Sequence, residues 1–399
     1  MRTTDMQAMV RSILTPYISM EAMFVDIMAA LNALGISTRL YNHDVDYPNG
    51  ELYFSMLMTM YRDRLPMFMV GMNCQDFIDT GEKKNGRPLL LNDHLSLPLV
   101  SIMVDHPAPH YNDLVRAPEN CIVTVVDEEH LDFVADAGLP SRTYVFCPHG
   151  GPEPVSDPLP ASDRSIDVLF VGNIKRSQPP EEWLDSQANS DPARRAALKE
   201  AFEDVHEEGR PLYPALKEAF ARHGQDNSPG ALAPDITSML YYVHEKQRLD
   251  TLKAIKGRRI TVLGKIDPEV AEQIAHHDLR GTHTFARVCS MMADSRTILN
   301  CCNVFPHGTH ERVFYGLSRG AVSITDSSTF LEEDFERGLG MVEQPRNLRD
   351  LDTLVSDLCA SPDLIDRLRV QGLETYSERH TWRERMKRVL PAVKAHLES

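Results

Sequence analysis

Apolar runs separated by polar, helix-like stretches recur along this chain at the interval of a strand–helix repeat. Residues 66–72 (PMFMVGM), 99–104 (LVSIMV) and 122–126 (IVTVV) are almost continuously apolar, the pattern of parallel strands covered on both faces. Shorter runs at 9–14, 37–41 and 144–147 predict three more strands, and residues 20–34 predict a helix stopped by Gly35. Residues 152–164 carry four prolines and no periodicity, which marks a linker. The pattern then restarts at 166–171 (IDVLFV), with further strands at 260–263, 297–301, 321–325 and 340–342. Helices are expected near 286–293 and 311–318 and through 351–397. Residues 180–256 are too long for one connection and read as several helices, broken near 224–234. Strands alternating with helices indicate βαβ units and parallel sheets. The expected class is α/β, with Rossmann-like domains over 1–155 and 165–378, an insert over 180–256 in the second, and a final helix over 379–399.

Ligands of such sheets sit beyond the carboxyl ends of the strands. Asp105, His106, Asp127 and His149 fall there in the first half, His149 and Gly150 within a glycine-rich hinge loop. In the second half Lys175 and Arg176 follow the first strand, and Lys265 follows the next. Residues 307–326 (HGTHERVFYGLSRGAVSITD) combine the loop Gly308-Thr309, a helix from Glu311 to Ser318, Gly320 and a strand closed by Asp326. Glycine fits just past a helix C-terminus, where φ is positive. The start of that helix offers unpaired N–H groups and a partial positive charge, which suits a phosphate.

Composition narrows the field. The 399 residues, 42% hydrophobic and 25% charged, are those of a soluble globular protein, and no run is long and apolar enough to span a bilayer. The start lacks a secretory signal pattern, so a cytoplasmic location is expected. A net charge of −16 argues against a general nucleic-acid binder. Seven cysteines without a C-x-x-C pair argue against zinc and a disulfide framework, and buried free thiols are the simple reading. The chain lacks G-x-G-x-x-G after a strand, G-x-x-x-x-G-K-[ST] and G-x-S-x-G, so dinucleotide, P-loop and hydrolase readings lose support. Asp44 and Asp46 form a short Asp-x-Asp that reads either as a metal contact or as a solvated loop, and His307, His310 and Glu311 make no closed metal site. No metal is expected.

Taken as an assembly, Arg312-Val-Phe314-Tyr315 with Gly320, then AVSITD, FLEEDFERG and finally His380-Thr381-Trp382-Arg383-Glu384-Arg385 resemble a known pattern. It is that of GT-B glycosyltransferases of the CgeB-like, spore-maturation-type group, within the glycosyl transferases group 1. The IDVLFVGN and VDHP segments are similar to that group as well. The resemblance spans about residues 95 to 390 and is weakest in the insert. It implies two Rossmann-like domains facing a cleft and a C-terminal helix that crosses back to the first domain, anchored by Trp382 and Tyr376.

It also implies transfer of a sugar from a nucleotide-diphosphate donor, metal-independent and without a cofactor, to an acceptor that is a glycan, protein or small molecule. A homodimer is compatible with it. Donor contacts fall on Lys175, Arg176, Lys265, Phe285, Gly308, Thr309, His310, Glu311, Arg312 and Tyr315, with Phe285 offering either a stacking face for the base or core packing. Asp105 and His106 are the expected catalytic groups, the base of an inverting reaction, with His149 as second choice. One departure stands out: the Glu that GT-B enzymes of the related retaining type carry five residues before the glycine is Tyr315 here, and its upstream acidic counterpart falls on His307. Either Glu311 takes over the ribose contact, or the donor is held differently, or transfer is lost. The alternatives to a transferase are then a silent scaffold on this fold and a nucleotide-sugar 2-epimerase.

Overall fold

A computed structural model describes residues 6–12, 18–42, 66–75, 77, 79–84, 86–141, 143–301, 304–336, 340–345 and 347–398. Asp44, Asp46 and Cys302 lie outside the described residues. The first part of the chain holds β1 (Gln7–Ser12), β2 (Ser37–Asn42), β3 (Met67–Met72), β4 (Asp79–Lys84), β5 (Arg87–Leu90), β6 (Leu99–Ile102), β7 (Cys121–Val125) and β8 (Thr143–Phe146). Its helices include α1 (Ile18–Ala33), α2 (Tyr111–Arg116) and α3 (Glu129–Asp136). Six of the strands form a parallel sheet in the order β2-β1-β3-β6-β7-β8. Every residue of β3, β6 and β7 is buried, the reason these segments are unbroken apolar runs. The antiparallel β4–β5 hairpin was not expected, because DTGEKK has no apolar alternation to betray it.

The second part opens with β9 (Ile166–Val171), followed by the helical insert α4 (Pro180–Ala188), α5 (Pro192–His206), α6 (Leu212–Arg222) and α7 (Pro229–Ala254). Then come β10 (Thr261–Leu263), α8 (Pro268–Gln273), β11 (Asp278–Gly281), α9 (Phe285–Ala293), β12 (Ser295–Leu299), α10 (Glu311–Ser318), β13 (Val322–Thr325), β14 (Met341–Glu343), α11 (Leu351–Cys359) and α12 (Pro362–Arg379). The sheet order is β11-β10-β9-β12-β13-β14, all parallel. From β9 the chain winds outward to β11, then returns to β12 and winds the other way. The strand order therefore reverses between β9 and β12, where such sheets open a crevice for ligands.

The expected α/β class with a helical insert is what the chain adopts. Two details differ. Edge strand β11 (DLRG) has one large apolar residue and was missed. Pro234, placed in a break by its sequence, lies inside α7. Leu232, Ala233, Ile236, Met239 and Leu240 around it are buried, and that burial overrides the local preference.

Contacts divide the chain into two units, residues 1–152 with 381–399 and residues 153–380. The last helix, α13 (Trp382–Glu398), thus belongs to the first unit, where Trp382, Met386, Val389 and Val393 share a core with Phe24, Ile27 and Leu31 of α1. Arg385 is fully buried at its start and donates from Nε to the carbonyls of Pro148 (2.9 Å) and His149 (3.0 Å). Arg385→Met leaves those carbonyls to compete for other donors and is expected to cost about 3 kcal/mol. Urea unfolding followed at Trp382 checks this, since the only other tryptophan, Trp183, lies in the second unit. Among the described residues no helix is long and apolar enough to cross a membrane.

Candidate functional site

In the second unit the exits of β9 and β10 are locked into one rim. Gly172 N–H donates to Leu263 O (2.8 Å), Ile174 N–H to Lys265 O (2.9 Å), and Lys265 N–H to Asn173 Oδ1 (2.9 Å). Gly264 sits at φ +141°, and a Cβ there would lie 2.2 Å from the Gly172 carbonyl oxygen. Only glycine allows this approach. Two of the cations expected to hold a donor are engaged on this rim. Lys175 pairs with Glu245 of α7 at 3.0 Å, and Arg176 with Glu269 of α8 at 2.9 Å. Both cationic side chains are largely exposed, so these pairs orient them more than they stabilise the fold.

Across the switch point, Asn300 directly follows β12 and donates from Nδ2 to Thr325 Oγ1 at 2.9 Å. The following loop is strapped to the exit of β13. Ser328 Oγ donates to Gly308 O (2.5 Å), Thr329 N–H to Pro306 O (3.1 Å), and His307 Nδ1 lies 2.9 Å from Thr329 Oγ1. Thr309 and His310 are buried, and His310 contacts the Glu311 carboxylate. Its extended backbone (φ −95°, ψ 148°) starts α10, but its side chain does not cap the helix. In the first turn the Val313 N–H donates to His310 O at 3.2 Å.

Positive charge gathers at this point. Arg312, in the first turn of α10, and Arg248, on α7, both lie close enough to His244 to lower its pKa, after burial as the main cause. His310 adds to the effect, and a hydrogen bond to the Cys301 backbone opposes it. His244 is therefore neutral near pH 7, and its buried Nε2 has no hydrogen-bond partner among the described residues. Burial and Asp326 push the Cys301 thiol up to about 12, with Arg248 and Arg312 pulling the other way. Arg248 Nη1 also donates to Asn173 O at 3.1 Å, joining the two sides of the switch point. Arg248, His244 and Gln247 were missed in the sequence. The available signal was a polar stripe at positions 244, 247, 248 and 251, helical spacing along α7.

Tyr315 has a different role from the one expected, and Phe285 takes the core-packing role of the two it offered. Tyr315 is 2% exposed and packs among Ile166, Leu169, Met292 and Ile298. Phe285 meets it edge to face with ring centroids 5.2 Å apart. Phe285 is engaged in core packing, and Tyr315 is removed from solvent.

Next to the basic cluster lies a cavity of about 310 Å³, walled by the insert on one side and the exits of β12, β13 and β14 on the other. His206, Glu207, Gln247 and Asp250 come from the insert; His307, Asp326 and Gln344 come from the sheet edge. Gln247 Nε2 donates to Asp326 Oδ1 at 2.9 Å, tying α7 to β13.

In the first unit the expected catalytic pair splits. Asp105 is exposed, whereas His106 is 1% exposed and turned inward. The Ala108 N–H donates to His106 Nδ1 at 3.0 Å, which leaves the ring proton on Nε2. Burial pushes the His106 pKa down to about 3. With one nitrogen occupied and the other protonated, His106 cannot take a proton from an acceptor, which corrects the base assignment. His149 is also buried, and its Nε2 donates to Val104 O at 3.0 Å. A Cβ on Gly150 would meet Trp382 N and Arg385 Cγ at 3.0 Å, so this loop is packed against the start of α13.

His106, Glu129 and His130 bring three possible metal-ligand atoms within 4.8 Å of one another, all buried. His106 Nε2 and His130 Nε2 each stand 3.8 Å from Glu129 Oε2. The fit to a metal fails at His106, because a protonated Nε2 has no lone pair to offer.

Residues 245–391 match the family described as Glycosyl transferase-like. No curated protein matches the chain. An alpha-glucosyltransferase in complex with UDP-glucose and DNA containing an abasic site aligns with TM-score 0.51 and 10% identity over 97% of this chain and 99% of that one. The same comparison with an alpha-glucosyltransferase bound to UDP and a 13-mer DNA containing a central A:G mismatch gives TM-score 0.50 and 9% identity over 98% and 99%. HepE from Anabaena, in complex with UDP, aligns with TM-score 0.48 and 10% identity over 98% and 99%. At these identities the likeness is one of fold. The chain has the GT-B fold of glycosyltransferase structures and carries a glycosyl transferase-like region over residues 245–391.

Proposed function

We propose that this protein is a metal-independent glycosyltransferase that moves a hexosyl group from a nucleoside-diphosphate sugar to an acceptor other than nucleic acid. The observation that carries this reading is the placement of Arg248, bonded to Asn173 O after β9, and Arg312, in the first turn of α10, on the two sides of the switch point, with both charges acting on His244 and Cys301. Sugar transfer leaves a diphosphate whose negative charge grows in the transition state, and fixed cations and N–H groups stabilise it. Two arginines supply the charge that a divalent ion would otherwise bring. UDP is the nucleotide we assign, by analogy with the UDP-bound alpha-glucosyltransferases. The net charge of −16 speaks against a DNA acceptor. Buried Tyr315 makes no ribose contact, so that role goes to Glu311, whose side chain is 32% exposed at the first position of α10. For an inverting reaction Asp105 takes the acceptor's hydroxyl proton. The block from Arg312 to Arg385 supports membership of the CgeB-like group.

Isothermal titration with nucleoside diphosphates is the test. A one-to-one isotherm for UDP is expected, and no heat from UDP, GDP, CDP or dTDP would sink the reading.

A further inference from the structure

The geometry points to the cavity beside His307 as the seat of the transferred sugar, built to accept neutral or amine-bearing sugars and to reject acidic ones. This rests on the glycosyltransferase reading. The cavity lies near the basic cluster: Asp326, which lines it, acts on the same Cys301 thiol as Arg248 and Arg312. Gln247 and His307 in its wall are close in sequence to Arg248 and to the start of α10. A ligand with its diphosphate on the cluster has the cavity within reach of its next group. A volume of about 310 Å³ is at the small end of ligand pockets and suits one sugar ring better than an oligosaccharide.

The lining decides the chemistry. Glu207, Asp250 and Asp326 face this space, and no lysine or arginine is among its lining residues. Lys246 balances one of the carboxylates, pairing with Asp250 at 2.5 Å. The other two make the cavity acidic, so a uronic-acid carboxylate entering it meets like charge. Hydroxyl and ammonium donors instead find acceptors. Gln344 strengthens the case: it is 4% exposed, and its Oε1 is buried without a hydrogen-bond partner among the described residues. His206 Nδ1, on the opposite wall, is in the same position. Buried polar atoms left unpaired are costly, and a polyhydroxylated ligand supplies what they lack.

The insert residues His206, Glu207, Gly209 and Pro211 lie outside the 245–391 match. One of the three carboxylates, Glu207, and one of the two unpaired polar atoms, His206 Nδ1, thus come from outside the family-matched region.

Titrating UDP, UDP-glucose and UDP-glucuronic acid into the wild type and the variants Glu207→Lys and Gln344→Leu tests the assignment. The wild type is expected to bind UDP-glucose at least about tenfold more tightly than UDP-glucuronic acid. Glu207→Lys, at an exposed position that folding tolerates, should remove or invert that ratio with UDP affinity unchanged. Gln344→Leu should weaken UDP-glucose about tenfold relative to UDP. Equal wild-type affinity for the two sugar nucleotides, or a ratio unmoved by Glu207→Lys, overturns the sugar assignment while UDP binding keeps the enzyme reading intact. No binding of UDP at all overturns both.

Discussion

Alanine in place of Arg312 is expected to weaken UDP binding about tenfold to a hundredfold and to lower kcat by about 10²–10³. Arg312 stands in the first turn of α10, and its charge acts on both His244 and Cys301. Its charge meets the diphosphate before the bond breaks and more strongly afterwards, so both ground-state affinity and turnover depend on it. Arg312→Lys keeps the charge but loses the planar fork, and should fall between wild type and alanine. Arg248→Ala should behave like Arg312→Ala, because the Arg248 charge on α7 acts on the same two groups. Lys199→Ala is the control, since Lys199 is an exposed residue of α5 paired with Glu203 at 3.0 Å. Calorimetry for UDP and a steady-state assay of donor turnover provide the readouts. Wild-type UDP affinity in both arginine variants would remove the diphosphate from the switch point.

Much of the fold and part of this site were legible before the structure. Parallel strands buried on both faces write themselves as apolar runs, and the turn at Gly320 announced the end of α10. Arg312 was readable because its neighbours are consecutive in sequence. Arg248 was not, for a physical reason. A polar stripe on a helix looks the same whether it faces solvent or a sheet edge, and only the packing of α7 beside the exits of β9 and β13 decides. Lys175 and Arg176 stand after β9 as their sequence position implies, but their partners Glu245 and Glu269 lie far along the chain and were not readable from it. His106 shows a third limit: two residues on, the Ala108 N–H fixes its tautomer, and burial removes it from any acceptor.

Gly264→Ala is expected to be the most destabilising single substitution at this site, at about 4 kcal/mol or more. The added Cβ would lie 2.2 Å from Gly172 O and 2.6 Å from its carbonyl carbon, both backbone atoms. No rotamer change can relieve that. The rim must open, and opening strains Gly172 N–H to Leu263 O (2.8 Å) and Gly264 N–H to Gly281 O (2.9 Å) together. Gly224→Ala is the matched comparison: φ is also positive, +66°, but nothing lies within 4 Å of the added carbon. It carries only the conformational cost, about 1 kcal/mol. Urea unfolding in a Trp382→Phe background, where Trp183 alone reports on the second unit, separates the two variants. The rim also holds Asn173, which accepts from Arg248, so residual folded Gly264→Ala protein should bind UDP more weakly than Gly224→Ala. A Gly264→Ala midpoint equal to that of Gly224→Ala would mean the β9 and β10 exits are not locked, and the placement of Arg248 would lose its support.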